Sequence, residues 1–369
     1  MTHVVAIAGS TVPSDTANSL QVMKACQALL QTGYDVTLLV PGTQGSTVDL
    51  QRHYGLQTAV PVEWVPAPSR RIFTWQAVRR ARLRNADLLY SWFPQSAVFG
   101  LLSRLPVVLE VHLQPTGRFG PFWYRALVRL PGRKRAAFIT RALLGIFQLD
   151  FGIPFREEEV IIAPNGVDLE RFAALPDPVT ARRQIGLREA PTVMCTGHLY
   201  AGRGAELFLG LARSIPQAQF VWVGGRAEDI EKWAQRLESD NVRFTGFVPN
   251  RDLPLYQAAA DILLMPYSRS ILGSSGTADS ARVASPMKMF EYMAAGRAIV
   301  SADLPVVHEV LDQQAALFCT PDDLQDWRFA IESLLANEAQ RVELGERAKR
   351  DVQGYTWVAR AQRIMNGFP

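Results

Sequence analysis

Ser285-Pro-Met-Lys-Met-Phe-Glu-Tyr-Met-Ala-Ala-Gly296, with the Gly273-Ser-Ser-Gly276 loop leading into it, is the stretch from which the fold is read. Ser285 reads as an N-cap and Pro286 as the first helical residue, where its missing N–H costs nothing. The free amides of that helix start, with the dipole behind them, suit a phosphate. Lys288 lies in the first turn and adds positive charge, and Glu291, three residues on, shares its face. A carboxylate there suits a pair of sugar hydroxyls, which offer two donors to two oxygens. Ala294, Ala295 and Gly296 let the helix pack closely and then stop, and Ala298-Ile-Val-Ser301 follows as a short buried strand. The plainer account of the same residues is a capped helix with a Lys/Glu surface pair, packed on a sheet.

The stretch resembles the donor-site signature of the retaining glycosyltransferases of family 4, which have the GT-B fold. The shared elements are Ser-Pro-x-Lys-x-x-Glu, a Met-Ala-x-Gly helix end, a strand and an Asp-Leu-Pro turn, here within Ser301-Ala-Asp-Leu-Pro305. The resemblance implies that Glu291 holds the ribose of a nucleotide sugar, with the helix start at Ser285, Pro286 and Met287 set against its diphosphate. The family more commonly carries a second glutamate eight positions earlier. Val283 stands there in this chain, so a side chain that often holds the donor hexose is absent.

Outward from this stretch, strands and helices alternate. Strands are expected at His3–Ala8, Val36–Val40, Leu88–Tyr90, Val107–Val111, Ala137–Ile139 and Val160–Ala163, with an amphipathic helix from Ala17 to Thr32 stopped by Gly33. Leu175-Pro-Asp-Pro178 reads as a linker by composition. A second alternation has strands at Thr192–Cys195, Phe220–Val223, Val242–Phe244, Ile262–Met265 and Ala298–Ser301, then a mostly helical Arg328–Val352. The rhythm predicts an α/β fold of the GT-B type, two Rossmann-like, doubly wound parallel-sheet domains facing across a cleft. Residues 1–172 form the acceptor-side domain and 173–354 the nucleotide-sugar domain in this reading. Residues 355–369 form a last helix that, by resemblance, returns to the first domain. The cleft is the expected active site, because ligands of open α/β sheets sit beyond the carboxyl ends of the strands.

A length of 369 residues suits two domains, each able to bury a core. Cys26, Cys195 and Cys319 are an odd number, widely spaced, and read as buried reduced thiols of a cytoplasmic protein. The first ten residues lack a basic leader region and run straight into a strand, and no run is apolar enough to span a bilayer. Residues 1–150 hold 16 Lys/Arg against 7 Asp/Glu, a net of +9, and residues 70–141 alone hold 14 basic residues and 2 acidic ones.

Gly197-His-Leu-Tyr-Ala-Gly-Arg-Gly204 sits between strand and helix, a position that suits phosphate, although its glycines do not follow the GxGxxG spacing. By resemblance this loop grips the donor diphosphate, with Arg203 in place of the usual Lys and His198 in place of the usual Arg. Arg203, Lys288 and the helix amides then neutralise a leaving nucleoside diphosphate without a metal or other cofactor. Glu110-Val-His112 ends a buried strand, and alternation places Glu110 and His112 on one face. The resemblance sets His112 against the transferred sugar, with Glu110 orienting its ring. In the retaining picture the leaving phosphate oxygen, not a side chain, takes the acceptor's proton. Gly9 to Ser19 is a long loop in which Gly9 and Ser10 would approach the donor, while Asn18 reads as an acceptor-side contact and Ser19 as a helix cap. Asn165-Gly-Val-Asp168 reads as turn chemistry at a hinge. Phe247 and Val248, after the strand at Val242, are the candidates for the wall against the nucleobase, with core packing the plainer account.

The basic region 70–141 is interleaved with Phe73, Trp75, Trp92, Phe93, Phe119, Phe122, Trp123 and Tyr124, and Gly120 to Arg129 reads as a helix with aromatic and arginine faces. That suits an anionic membrane surface or a lipid-linked acceptor, and places the protein at the inner face of the plasma membrane. No nucleic-acid-binding module is present. The expected activity is transfer of a hexose from a nucleoside-diphosphate sugar to a cell-envelope or lipid-linked glycan. Its rivals are the same transfer to a small soluble acceptor, as in sucrose-type synthesis, and a nucleotide-sugar binder that has lost catalysis. A dinucleotide oxidoreductase would need the missing glycine fingerprint.

Overall fold

The computed structural model describes residues 1–43, 48–271 and 279–368. The Gly273–Gly276 loop of the sequence reading therefore lies outside the described residues. The chain divides into two compact units, Met1–Asn165 with Trp357–Pro369, and Gly166–Thr356.

The first unit holds a seven-stranded sheet: β1 (His3–Ile7), β2 (Asp35–Pro41), β3 (Val62–Val65), β4 (Leu88–Ser91), β5 (Val107–Val111), β6 (Lys134–Phe138) and β7 (Val160–Ile162). The second holds six: β8 (Thr192–Thr196), β9 (Gln219–Val223), β10 (Val242–Phe244), β11 (Ile262–Met265), β12 (Ala298–Ala302) and β13 (Leu317–Cys319). The sheet orders are β3-β2-β1-β4-β5-β6-β7 and β10-β9-β8-β11-β12-β13. Every described strand pair is parallel. Sheets covered by helices on both faces bury their central strands entirely, and β1, β5, β8 and β11 are accordingly near-continuous apolar runs. In each sheet the order reverses once, between β1 and β4 and between β8 and β11, which opens a ligand crevice at the carboxyl ends of those strands.

Local chemistry shifts several expected boundaries. Thr16, not Ser19, caps the helix Ala17–Gln31 by accepting from the Ser19 amide, because Ser19 is already inside the helix with its hydroxyl bonded to that of Tyr54. Leu175–Pro178 is no free linker. Asp177 caps the helix Pro178–Gln184 through the amides of Val179 and Thr180. The helix read from Ser285 begins at Met287, with Pro286 in the capping position at ψ 127°, and ends on Gly296 in the left-handed conformation, φ 63°. Ser285 thus stands outside the helix it was expected to cap. β6 starts at Lys134 rather than Ala137. Its two charged residues sit at the mouth of the strand, where Lys134 pairs with Glu159 at 3.1 Å and Arg135 donates to the Ile364 and Asn366 carbonyls.

The division after Asn165 falls earlier than residue 172, since the helical turn Leu169–Phe172 packs on the helix Met287–Ala295 of the second unit. The final helix, Trp357–Met365, belongs to the first unit and lies against Ala17–Gln31. Cys26, Cys195 and Cys319 are free and buried.

Candidate active site

In the second unit the loop from Gly197 to Gly204 joins β8 to the helix Ala205–Ser214 and closes on the chain leaving β11. Gly204 has φ +82°, and a Cβ there would overlap the Pro266 carbonyl oxygen, so the turn admits only glycine. The Ser268 amide donates to the Gly202 carbonyl at 3.0 Å and locks the two loops together. Between them lies Tyr267, 1% exposed. The Lys288 ammonium sits 4.8 Å from the centre of its ring and the Arg203 guanidinium 5.4 Å. Arg203 Nη1 also donates to the Tyr267 hydroxyl at 3.5 Å, and Lys288 Nζ to the Thr196 carbonyl at 3.1 Å.

Neither cation is ion-paired with a described residue. Arg203 Nε is buried with no hydrogen-bond partner. Two positive charges held on one aromatic ring repel each other, and an anion relieves that repulsion. The arrangement also affects Cys195, 3.5 Å from Lys288 Nζ. Burial pushes its thiol up, opposed by the adjacent ammonium.

Glu291 departs from the expected surface pair. Lys288 reaches β8, whereas Glu291 is buried, takes a hydrogen bond from Gln257 Nε2 at 3.2 Å and lies 3.7 Å from Arg171 Nη1. Around it Arg171 Nε, Gln257 Oε1 and Asn250 Oδ1 are buried polar atoms without hydrogen-bond partners. Unsatisfied polar atoms are costly in a folded chain, and clustered beside a carboxylate they fit a polyhydroxylated ligand. Arg171 donates to the Asn250 carbonyl, which ties Glu291 to the loop carrying Phe247 and Val248. Phe247 is 51% exposed, which removes core packing as its role, and Val248 is half-buried. Val283 is fully buried and offers nothing to a ligand. His198 stacks on Tyr200, ring centres 4.8 Å apart. Ser285 is buried, and Pro286 and Met287 are half-buried at the helix start.

In the first unit His112 Nε2 lies 2.7 Å from Glu110 Oε2. Glu110, expected to orient the His112 ring in the acceptor-side domain, is sealed from solvent. Arg360 grips it through two bonds of 2.6 Å, and the Tyr90 hydroxyl donates to it. Burial alone would push this carboxyl up, but the Arg360 charge and the Arg360 and His112 hydrogen bonds carry it well below the ordinary carboxylate range. Ser10 donates to Asn18 Oδ1, with Asn18 exposed. Gly9 has a packing reason that sequence reading did not supply: a Cβ there would overlap the Phe93 ring. Asn165, Val167 and Asp168 are all buried, as a structural turn requires.

Tyr267, Arg171, Gln257, Tyr90 and Arg360 were not among the site residues read from the sequence. Arg360 alone left a trace there, as a charge on the otherwise apolar face Trp357, Ala361, Ile364. Among the described residues no group of three His, Cys, Asp or Glu side chains is placed to hold a metal ion.

Residues 190–337 match the family described as Glycosyl transferases group 1, and residues 20–171 match Glycosyltransferase Family 4. A GDP-mannose-dependent alpha-(1-6)-phosphatidylinositol monomannoside mannosyltransferase of Mycolicibacterium smegmatis is 29% identical over 49% of this chain and 51% of its own. The chain spans about half the length of this and the next curated relatives it matches. A phosphatidyl-myo-inositol mannosyltransferase of the same organism is 23% identical over 94% of this chain and 88% of its own. Among solved structures, Anabaena HepE in complex with UDP superposes with a TM-score of 0.75 at 18% identity, over 100% of this chain and 99% of that one, and shares the fold.

Proposed function

The chain belongs to the group 1, family 4 glycosyltransferases of GT-B fold, and from that premise we propose that it moves a hexose from a nucleoside-diphosphate sugar to a hydroxyl of a lipid-linked or envelope glycan, with retention of anomeric configuration. One observation carries the reading: Arg203 and Lys288 converge on Tyr267 with no acidic counter-charge among the described residues, at the point where the second sheet reverses its order.

The donor's diphosphate is assigned to these two cations, and its ribose to Glu291 with the open polar atoms of Gln257 and Arg171. Its base is assigned to the loop of Phe247 and Val248, and its sugar to His112. As the bond from the anomeric carbon to the phosphate oxygen breaks, charge grows on that oxygen, and preorganised cations stabilise it more than they stabilise the ground state. The acceptor oxygen bonds the same face of the carbon and passes its proton to the departing phosphate. Charge neutralisation by protein groups makes the transfer independent of a metal or other cofactor in this proposal. The acceptor class rests on relatives named as mannosyltransferases of phosphatidylinositol monomannoside and of phosphatidyl-myo-inositol, and on the basic, aromatic-rich surface of the first unit. We extend it to peripheral association with an anionic membrane.

A second reading, a binder without transfer, is favoured by Val283, whose burial leaves that position without a hexose contact. One experiment separates the two. The protein is incubated with UDP- and GDP-hexoses, with and without phosphatidylinositol-glycolipid vesicles and with EDTA, and nucleoside diphosphate and the anomeric configuration of the product are measured. Retained product, unaffected by EDTA, is expected. Thermal stabilisation by a nucleotide sugar with no diphosphate release under any condition supports the binder, and the absence of both removes the donor site.

A further inference from the structure

We propose that Arg360, on the helix Trp357–Met365, is a positioning residue for His112: acting through Glu110, it fixes which ring nitrogen carries the proton and keeps the ring neutral. The inference rests on the assignment of His112 to the transferred sugar, and it adds the device that prepares that side chain.

The Glu110 carboxylate makes four contacts, two per oxygen. Oε1 accepts from the Tyr90 hydroxyl and from Arg360 Nη1 at 2.6 Å, and Oε2 from Arg360 Nη2 at 2.6 Å, with His112 Nε2 at 2.7 Å. A carboxylate facing a guanidinium in this two-pronged geometry is ionised and can only accept. His112 Nε2 is therefore the nitrogen that donates, and in the neutral ring Nδ1 is left with a lone pair. The His112 side chain is 23% exposed while that of Glu110 is 0% exposed, so the ring alone of this group meets solvent or ligand. Arg360 has no freedom to move, since its Nε donates to the Ala163 and Pro164 carbonyls at 3.2 and 2.9 Å. The helix sets the guanidinium plane, the guanidinium sets the carboxylate, and the carboxylate sets the ring.

The charge count gives this chain of contacts its consequence. Among the described residues the other titratable groups facing Glu110 are Tyr90 on β4 and Cys26 on the helix Ala17–Gln31, and burial pushes both up, so both stay neutral. Arg360 is then the principal counter-charge of Glu110, ahead of the imidazole. Without Arg360 the buried carboxylate has only the imidazole to balance it, and the ring takes a second proton. Nδ1 then becomes a donor, and a sugar hydroxyl that donated to it loses its acceptor. A salt bridge serving stability alone has no need of a histidine on the same oxygen.

The test is nitrogen NMR of the full chain with labelled histidine, the His112 signals being identified by their loss in His112→Gln. The wild-type ring is expected to be neutral, with its proton on Nε2 and Nδ1 bare. In Arg360→Met the ring is expected to become doubly protonated at the same pH, and Glu110→Gln/Arg360→Met to return it to neutral. For glycosyl transfer, Arg360→Met lowers kcat about 10²-fold, the scale of a misplaced contact, while KM for the nucleotide sugar stays within about twofold. A wild-type ring protonated on Nδ1, or a ring unchanged by Arg360→Met, overturns the inference. Should Arg360→Met not fold, the wild-type spectrum and the double variant decide. Spectra as expected in a protein that turns over no nucleotide sugar uphold the positioning role and count against the proposed function instead.

Discussion

Lys288 and Arg203 are the residues whose isolation from acidic partners is most informative, because charges kept for stability are usually paired. Neither is ion-paired with a described residue, so Lys288→Ala and Arg203→Ala are expected to melt near the wild-type temperature. Their effect falls on the developing phosphate charge, and each is expected to lower kcat about 10²- to 10³-fold, the usual scale for one electrostatic contact to a transition state. Tyr267→Leu keeps both charges but removes the ring they share, and the loss is expected nearer tenfold, since a cation–aromatic contact contributes about 0.5–2 kcal/mol. Single-turnover rates with a nucleotide sugar, beside calorimetric binding of the diphosphate, check all three. Wild-type turnover in the two charge variants would remove the assignment. Glu291 shows why the ribose contact was legible only in part. Its place in the signature is visible in the sequence, but its neighbours Gln257 and Arg171 come from distant segments that only folding brings together.

At the scale of elements, Glu110 on β5 and Arg360 on the last helix join segments 250 positions apart. A buried pair is costly to break from one side, so Glu110→Gln, which strands a buried guanidinium, is expected to cost about 3–5 kcal/mol, with Glu110→Gln/Arg360→Met recovering most of it. The same pair has a pH signature. Its carboxyl is depressed in the folded chain, so the stabilisation is complete above the ordinary carboxylate range. It is lost as pH falls through that range and below, where the unfolded chain binds a proton that the folded chain does not. Urea midpoints of the first unit between pH 7 and pH 3 should therefore fall more steeply for wild type than for the double variant, and parallel curves would contradict this.

The central strands were legible because full burial writes an apolar run. β5 and β11 match their expected ranges to the residue. β3 and β13 were not anticipated, being half-exposed edge strands of only four and three residues, and in β3 Glu63 also interrupts the apolar run. The glycine loop was seen as a phosphate turn, but the reason for Gly204, the Pro266 carbonyl against it, belongs to tertiary packing. Gly204→Ala is expected to be folded yet destabilised by at least about 1 kcal/mol and weakened in diphosphate binding.

Across the whole molecule the charge is divided, a net of +9 in residues 1–150 against +4 for the chain, and the excess has a definite placement. Phe73, Phe93 and Tyr124, read among the surface aromatics, are buried and pack the first unit's core. Trp75, Phe119 and Phe122 remain exposed at 56%, 57% and 59%. On the helix Arg70–Leu83, exposed Arg71, Trp75, Arg79 and Arg82 follow one another at helical spacing. On Gly120–Arg129 the exposed set is Phe122, Arg125 and Arg129. Both helices pack on Pro94–Leu102, so the two stripes belong to one layer of that unit. Among the described residues no helix is long and apolar enough to cross a membrane. Arginines around large exposed rings instead match interfacial binding, in which each basic residue near an anionic surface contributes about 1 kcal/mol and the rings add apolar burial. Flotation with vesicles containing anionic phospholipid is expected to carry the wild type, and to fail in Trp75→Ala/Phe119→Ala/Phe122→Ala even at low salt. Arg71→Gln/Arg79→Gln/Arg125→Gln should retain residual binding that high salt weakens less than it weakens the wild type, because the rings are insensitive to screening. Transfer to a water-soluble acceptor should survive in both variants, since none of these residues is among those assigned to the donor. A wild type that ignores anionic vesicles at low salt would leave the lipid-linked acceptor without support.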